Sequence, residues 1–214
     1  MDIKKLEQEQ LKLAKKIVVK DDFLEINTIG GYDAAYTGNK MIAVVVVLDY
    51  KTLEVIEEKH IITTPKIPYI PTFLSYRETP SVIEAFNLLE NKPDLLMCDA
   101  NGILHPRKLG SASHIGLLLD IPTIGVAKKL ICGEEKNGKI LIEGDTRAFV
   151  LETKEHAKPI YVSPGHRVGL RSALKITQHC MKEGNKLPEP IRFAHRIAAK
   201  QKAQLKKEAL EKKE

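Results

Sequence analysis

The sequence predicts an α/β fold in which helices flank a mixed β-sheet. Three strand patterns come first along the chain, TIGGYDAAY, MIAVVVVLDY and VIEEKHIITT. The turn signals between them are short, Thr37-Gly38-Asn39 and Lys51-Thr52, so we expect these strands to form an antiparallel meander. Later, the apolar runs DLLMCD and PTIGVA enclose the helical pattern SASHIGLLLD. Strands that alternate with helices indicate a parallel part of the sheet.

The first elements follow from their hydrophobic periods. Apolar residues recur at helical spacing from Ile3 and Leu6 to Ile17 and Val18. This pattern predicts an amphipathic helix that packs on the sheet and ends near the segment VVKDD. The run MIAVVVVL shows no polar alternation, which predicts a central strand covered on both faces.

The remaining elements extend this arrangement. After the proline-rich loop TPKIPYIPTF, the helical pattern SVIEAFNLLEN stops before Lys92-Pro93, and Ser111 is a candidate cap for the next helix. KILIEGD and RAFVLET predict a hairpin, PIYVS a short strand, RSALKITQHCMKEG a helix, and residues 189–214 a basic C-terminal helix. This is the order of a ribonuclease H-like sheet with additions, although periodicity alone fits several mixed α/β folds.

Length and composition indicate one domain over residues 1–214, since 43% of the residues are hydrophobic and 29% are charged. The net charge of +6 favours an anionic partner. Residues 189–214 hold eight basic and four acidic residues, although a solvated helix face is the simpler reading of that segment. The three cysteines form no C-x-x-C pair, and no signal peptide or membrane-length apolar run occurs, which predicts a cytoplasmic protein without membrane association.

Three carboxylates are candidates for a metal site. Asp33 interrupts an apolar strand pattern, and Asp99 follows the buried strand LLMC, where ligands of open α/β sheets bind. Glu78 lies near the start of the helix after the proline loop. Each has an ordinary explanation: an exposed strand edge for Asp33, a turn for Asp99 and the helix dipole for Glu78. Together they favour a hard divalent cation held through oxygen ligands.

Basic and aromatic residues stand beside these acids in the sequence. His105 comes six residues after Asp99, in a loop with two cations and a glycine, and Lys128 ends the strand PTIGVAK. A lysine at a buried strand end favours an anionic partner such as a phosphate. Tyr69 lies among prolines that stiffen its loop, so it could stack on a base or serve only as a rigid connection. His114 and His166 are candidates of lower rank.

Four runs of the chain resemble the endonuclease V family, in the same order and with comparable spacing: GGYDAAY, IPYIPTFLSYRE, DANGILHPRKLGSASHIGLLLDIPTIGVAKK and IYVSPGHR. The resemblance extends from about Lys16 to Ala198. It implies a ribonuclease H-like fold and a DNA repair nuclease that uses Mg²⁺, or Mn²⁺ in its place. It also implies hydrolysis of the second phosphodiester 3′ to deoxyinosine, the product of adenine deamination, leaving 3′-hydroxyl and 5′-phosphate ends. A monomer suits the family.

The resemblance also assigns residues. It implies that Asp33 and Asp99 hold the metal with Glu78 as accompanying carboxylate, that His105 lies beside the metal and the scissile phosphate, and that Lys128 positions water or phosphate. Tyr69 falls at the tyrosine of the family's P-Y-I-P wedge, which fills the gap left by the turned-out base. The loops on either side of the base pocket contribute the remaining substrate-binding candidates: Pro71, Thr72, Leu74, Gly110, Ser111 and His114.

Two positions depart from the family pattern. Ala100 replaces the first glycine of D-G-x-G, and Thr72 replaces the glycine that commonly follows the wedge. Thr72 puts a side chain near the base pocket. Alternatives to deoxyinosine repair are a nuclease that acts on inosine-containing RNA or on mismatched or branched DNA, and a nucleic-acid-binding module without catalysis.

Overall fold

In a computed structural model, residues 2–211 are described, and they form one sheet of nine strands with helices on both faces. The strands are β1 (Thr28–Thr37), β2 (Lys40–Asp49), β3 (Val55–Thr63), β4 (Leu95–Cys98), β5 (Thr123–Ala127), β6 (Glu134–Lys136), β7 (Lys139–Ile142), β8 (Asp145–Leu151) and β9 (Ile160–His166). The helices are α1 (Ile3–Ala14), α2 (Leu74–Asn87), α3 (Ser111–Leu119), α4 (Leu170–His179) and α5 (Glu189–Glu211).

The spatial order of the strands is β3-β2-β1-β4-β5-β9-β8-β7-β6. The predicted meander is confirmed, because β1 pairs antiparallel with β2 and β2 with β3. The predicted parallel part is confirmed as well, since β4 pairs parallel with β1 on one side and with β5 on the other. The two parts therefore meet at β1, the strand that carries Asp33.

The strand β2 is buried on both faces, as its uninterrupted apolar run predicts, and it separates two cores. Ile42, Val44 and Val46 belong to the core that includes residues of α4 and α5. The alternate residues, among them Ala43 and Val45, belong to the core that includes residues of α2 and α3. This alternation follows from the two-residue period of a strand.

Helix α5 lies close to β1 because Gly31 has no side chain. A Cβ atom added at Gly31 would lie 2.0 Å from the carbonyl oxygen of Pro190, in the first turn of α5. Any other residue at position 31 would push the helix away from the strand. Because Asp33 follows two residues later, this contact sets the distance between Asp33 and the side chains of α5.

The first helix differs from its prediction. It ends at Ala14, and among its residues only Gln10 is buried. The side chain of Gln10 forms hydrogen bonds with Thr72 and Arg107 in the loops beside the sheet. Val18 leaves the helical pattern because its backbone N–H donates to Nδ1 of His166, the last residue of β9, at 3.3 Å, and its carbonyl oxygen accepts from the N–H of the next residue, Arg167, at 2.7 Å. Tertiary hydrogen bonds thus override the helical period.

Other boundaries need correction. Helix α2 begins at Leu74 and contains Pro80, so Glu78 lies in its second turn and not at its start. Gly110, and not Ser111, is the N-cap of α3, and no side chain caps that end. The short edge strand β6 was not predicted. The predicted C-terminal helix is confirmed as α5 to Glu211, and residues 212–214 lie outside the described part. Within residues 2–211, no helix combines the length and apolar character that a bilayer span requires.

Candidate active site

Asp33 and Asp99 come together because their strands are parallel neighbours. Tyr32 in β1 is paired with Cys98 in β4, and the backbone N–H of Asp99 donates to the carbonyl oxygen of Tyr32 at 2.9 Å. The two acids are thus adjacent in register. Asp33 lies in the middle of its strand, and Asp99 lies just beyond the end of β4. Their carboxylates both line a cavity of about 460 Å³ between β1 and α5, here called the carboxylate cavity.

Helix α5 adds a histidine that sequence reasoning did not single out. His195 donates a hydrogen bond from Nδ1 to Oδ2 of Asp33 at 2.7 Å. One ligand atom each from Asp33, Asp99 and His195 lies within 4.8 Å of the others. No local signal distinguishes His195 in the pattern IRFAHRIAAK, because its meaning depends on a contact with a residue 162 positions earlier.

The environment of Asp99 is suited to a cation. Burial and, after it, the neighbouring charge of Asp33 raise the pKa of Asp99 to about 6, although Lys128 opposes both effects. Lys128 forms an ion pair with Oδ2 of Asp99. Two carboxylates held this close repel each other unless positive charge lies among them. The donor set therefore fits a divalent metal ion, for which carboxylate oxygens are favoured ligands.

Glu78 reaches the same cavity from α2 and is held by two tyrosines. Its Oε2 accepts from the hydroxyl of Tyr32 at 3.0 Å, and its Oε1 accepts from Tyr36 at 2.7 Å. Burial raises the pKa of Glu78, and the charge of Asp99 raises it further, although the two tyrosine hydrogen bonds act in the opposite direction. Glu78 is therefore fixed in orientation beside the cluster of Asp33, Asp99 and His195, without belonging to it.

A second cavity, of about 370 Å³, lies on the other side of Asp99 and is here called the base cavity. Asp99 and Lys128 line both cavities. Tyr69 stands at the base cavity with 66% of its surface exposed, as expected of a residue free to stack on a ligand. Of the other substrate-binding candidates, the following also line it: Thr72, Leu74, Gly110 and Ser111.

Two predicted residues do not line the base cavity. Pro71 is exposed in the loop beside it. His114 is buried in α3, where its ring meets the edge of Tyr76 with the centroids 5.2 Å apart. Burial lowers the pKa of His114 to about 4, so its ring is neutral at pH 7. Pro71 and His114 therefore lie outside the cavity walls. Pro71 precedes the wall residue Thr72, and His114 lies in the same helix as the wall residue Ser111.

His105 lines the base cavity, but both of its ring nitrogens are used by the protein. Nε2 donates to the carbonyl oxygen of Thr72 at 2.9 Å, and Nδ1 accepts from the backbone N–H of Arg107 at 3.2 Å. These bonds define a neutral ring with its proton on Nε2. Burial lowers the pKa of His105 to about 4, which the bond to Thr72 partly opposes. Of these two histidines, His195 contacts a carboxylate of the site, that of Asp33, and His105 does not.

The two departures from the family pattern have different structural settings. Ala100 is 9% exposed, belongs to the core shared with α2 and α3, and does not have a positive φ, so an alanine fits there without strain. Thr72 has a φ of 67°, in the left-handed region that glycine adopts more readily. Its carbonyl oxygen accepts from Gln10 and His105, which hold the strained loop in place.

The strand order β3-β2-β1-β4-β5 and the carboxylates on its two central strands define a metal-dependent nuclease with a ribonuclease H-like sheet. A search of protein-family models agrees with this class. The model described as Endonuclease V matches residues 11–196. The chain therefore belongs to the endonuclease V family, whose members hydrolyse phosphodiester bonds of DNA.

Individual relatives agree over most of their length. Endonuclease V of Dictyoglomus turgidum is 40% identical over an alignment of 196 residues that covers 87% of this chain and 85% of the relative. The crystal structure of the Bacillus subtilis endonuclease V superposes with a TM-score of 0.88 at 31% identity, covering 97% and 95% of the two chains. That of the Ciona intestinalis enzyme, in complex with a 24-mer DNA containing an inosine followed by a ribo-adenosine, superposes with a TM-score of 0.86 at 27% identity, covering 95% of this chain and 98% of that one.

Proposed function

We propose that the protein hydrolyses the second phosphodiester 3′ to a deoxyinosine in DNA and leaves 3′-hydroxyl and 5′-phosphate ends. The observation that carries this proposal is the pair of cavities that share Asp99 and Lys128. When the altered base of a DNA strand occupies the base cavity, a phosphate on the 3′ side of that base lies next to Asp99 and Lys128. The inosine-containing DNA bound by the Ciona relative supports this choice of substrate.

Asp33 and Asp99 would hold the catalytic ion, and Mg²⁺ is the proposed ion, with Mn²⁺ as a substitute, because both favour carboxylate oxygens. When bound, such an ion lowers the pKa of a coordinated water and offsets the charge that develops on the phosphate. His195 orients the carboxylate of Asp33 through its 2.7 Å hydrogen bond. The other oxygen of Asp33, Oδ1, accepts from the backbone N–H of Ala34 at 2.8 Å and keeps a second lone pair that can face the ion.

Lys128 and Glu78 complete the proposed catalytic set. The ammonium group of Lys128 stands between the two cavities, where it can pair with the scissile phosphate as well as with Asp99. A fixed cation at that point stabilises the additional negative charge of the transition state. Glu78, held by Tyr32 and Tyr36, orients water or accepts a proton beside the ion.

For the base, we propose that Tyr69 stacks in the gap left by the turned-out nucleotide. The groups around the base cavity then contact the hypoxanthine edge. Pro71 stiffens the Tyr69 loop, and His114 supports the wall from beneath through Tyr76. His105 belongs to the site as the residue that fixes the carbonyl of Thr72, the oxygen atom that Gln10 also contacts.

The test is incubation of end-labelled strands, with and without one inosine, in Mg²⁺ or in EDTA. We expect Mg²⁺-dependent cutting at a single position 3′ to inosine. Asp33→Ala and Asp99→Ala should abolish it, whereas Tyr69→Ala should mainly weaken binding of the inosine strand. Equal cutting of strands with and without inosine would refute the proposed specificity, and normal cutting by Asp99→Ala would refute the metal assignment.

Inosine in RNA is a second candidate substrate. It is favoured by one observation, the ribo-adenosine that follows the inosine in the DNA bound by the Ciona relative. The same assay decides between the candidates when the nucleotide 3′ to inosine is changed from deoxyribose to ribose, since a contact to the 2′-hydroxyl distinguishes RNA from DNA. Faster cutting of the ribose-containing strand would favour RNA.

We further propose that residues 1–214 act as one domain, as a monomer, in the cytoplasm. The continuous sheet supports the single domain. The three free cysteines, two of them buried, support a reducing compartment. Sedimentation of the purified chain tests the monomer, for which a mass near 24.0 kDa is expected.

A further inference from the structure

A second cavity lies further along the two elements, β1 and α5, that border the carboxylate cavity. The first is lined by residues 33–36 of β1 and by His195, Ala199 and Lys202 of α5. The second, of about 560 Å³, is lined by residues 37–40 at the β1–β2 turn and by α5 residues between Leu205 and Leu210. We call the two cavities together the α5 groove. It runs from the proposed metal site to the turn between the first two strands.

Positive charge follows this groove away from the carboxylates. Lys202 lines the first cavity and is half-buried, and Lys40 and Lys206 line the second from opposite sides. Within residues 2–211, none of these three lysines forms an ion pair, and Glu208 is the acidic residue among the lining residues of the second cavity. An unpaired lysine in a concave surface favours an anion more strongly than one on a convex, solvated face.

The two groove lysines of α5, Lys202 and Lys206, lie on one side of the helix. His195, Ala199, Lys202 and Lys206 follow at spacings of four, three and four residues, which places them on one side of a helix. Lys200 and Lys207 lie off this side of the helix and line neither cavity. Both are exposed, as Lys206 is, and Lys207 pairs with Glu211 at 3.8 Å. The helix thus carries two groove lysines and two solvent lysines of equal charge. The segment matched by the family model ends at residue 196, before both groove lysines of α5.

We propose that the α5 groove binds the phosphates of the strand on the 3′ side of the cut. This inference rests on the proposed function. An altered base in the base cavity and a scissile phosphate at Asp99 and Lys128 direct the 3′ continuation of the strand into the carboxylate cavity, because these two residues line both cavities. Lys202 meets the first of these phosphates, and Lys40 and Lys206 meet later ones.

The length of the groove suits several nucleotides. From His195 to Lys206 the helix rises about 17 Å, an axial length that corresponds to roughly five nucleotides of one B-form strand. Side chains of lysine add reach at both ends. The groove therefore holds the new 5′-phosphate end of the product together with the nucleotides next to it.

The test compares two double variants of equal charge. Lys202→Ala with Lys206→Ala removes the groove lysines, and Lys200→Ala with Lys207→Ala removes the solvent lysines. Binding of single strands is measured in EDTA, which prevents cutting, over a range of salt concentrations. The strands carry one inosine with either a long 3′ arm or an arm that ends with the first nucleotide past the cut bond, and a plain strand serves as reference.

With the long 3′ arm, the groove variant should lose about 1.4 from the slope of log affinity against log salt, about 0.7 for each of two lost phosphate contacts. The solvent variant should lose much less, and the groove variant should match the wild type on the short 3′ arm. An equal loss in both double variants, or a loss in the groove variant that is as large on the short 3′ arm as on the long one, would overturn the inference.

The proposed function is tested separately, by the preference of the wild-type protein for inosine strands over plain ones. Absence of that preference refutes the deoxyinosine substrate, whereas the difference between the two variants on the plain strand still tests the groove. Circular dichroism checks that all variants keep their helix content, since alanine favours helices at these positions.

Discussion

Arg107 donates a hydrogen bond from Nη2 to the hydroxyl of Thr72 at 2.6 Å, and Thr72 holds a φ of 67°. A β-branched residue is unfavourable in the left-handed region, by about 1–2 kcal/mol. The hydroxyl of Thr72 offsets part of this strain, because it accepts a hydrogen bond from a guanidinium group whose side chain is only 17% exposed. The loop that borders the base cavity is held by a polar contact that a glycine could not make.

This relationship predicts different effects for two substitutions of Thr72. Thr72→Val keeps the strain and removes one hydrogen bond of Arg107, which retains its bonds to Gln10 and Glu7, so the free energy of unfolding should fall by about 1–3 kcal/mol. Thr72→Gly loses the same bond but relieves the strain, so the fall should be smaller. Urea unfolding measures both. Equal losses in the two variants would show that φ at position 72 carries no strain.

The second prediction concerns pH and the buried rings of His105 and His114. Burial lowers the pKa of each to about 4, below the ordinary value near 6.5. Between these values the unfolded chain binds protons that the folded chain does not. The contribution of the two rings to the free energy of unfolding is therefore present in full above about pH 6.5 and is lost as the pH falls toward 4. Each ring contributes up to about 3 kcal/mol to this fall. Urea unfolding at several pH values should show a shallower dependence in His114→Leu, and an unchanged dependence would contradict the assignment.

The third prediction separates metal ligands from their neighbours. Mg²⁺ should raise the unfolding temperature of the wild-type protein, since a ligand at a hundred times its Kd stabilises the folded state by about 2.7 kcal/mol. Asp99→Asn should abolish this increase. Glu78→Gln should retain most of it, because the oxygens of Glu78 already bond to Tyr32 and Tyr36 and lie outside the ligand cluster.

The measurement is thermal unfolding with Mg²⁺ or EDTA, followed by cutting assays on the same samples. Glu78→Gln is expected to bind Mg²⁺ and cut poorly. If Glu78→Gln loses the Mg²⁺-dependent increase as completely as Asp99→Asn does, Glu78 is a ligand and its proposed role is wrong.

The fourth prediction concerns the closeness of β1 and α5. Gly31→Ala places a methyl group 2.0 Å from the carbonyl oxygen of Pro190, so α5 must move outward. We expect a loss of about 1–3 kcal/mol in the free energy of unfolding, as for other overpacked sites. The move also separates His195 from Asp33, so the increase in unfolding temperature with Mg²⁺ should shrink. A variant that retains both properties would show that the helix position does not depend on Gly31.

Much of the sheet is predictable from sequence because its strands are apolar runs with clear turns between them. The strand β2, from Lys40 to Asp49, is the plainest example. The edge strand β6 is not predictable in this way, because its three residues, Glu134–Lys136, are all exposed and charged. Its pairing with β7 comes from the hairpin and not from a hydrophobic pattern.

The boundaries of helices are less predictable where tertiary contacts compete with local preference. Val18 has a suitable residue type and spacing for the first helix, yet its backbone bonds to the region of β9. Pro80 indicates a helix boundary by its chemistry, yet α2 continues through it. In the buried part of α2, Glu78 and Val82 on either side of Pro80 are fixed by packing and hydrogen bonds.

The candidate site was partly accessible to sequence reasoning. Asp33 and Asp99 stand out because acids are unusual in and directly after buried strands. Lys128 stands out because a basic residue directly after a buried strand is equally unusual. His195 does not, since a histidine on a basic, amphipathic helix is an ordinary surface residue until the helix is docked. Its role follows from the sheet topology, which sequence spacing alone does not specify.

The hydrogen bond between Asp33 and His195 joins residues 162 positions apart. During synthesis, β1 and β4 can pair and bring the two carboxylates together long before α5 exists. The third member of the cluster arrives only after α5 has been synthesised and has docked beside Gly31. A chain in which α5 has not yet docked therefore carries two mutually repelling acids without His195 beside them.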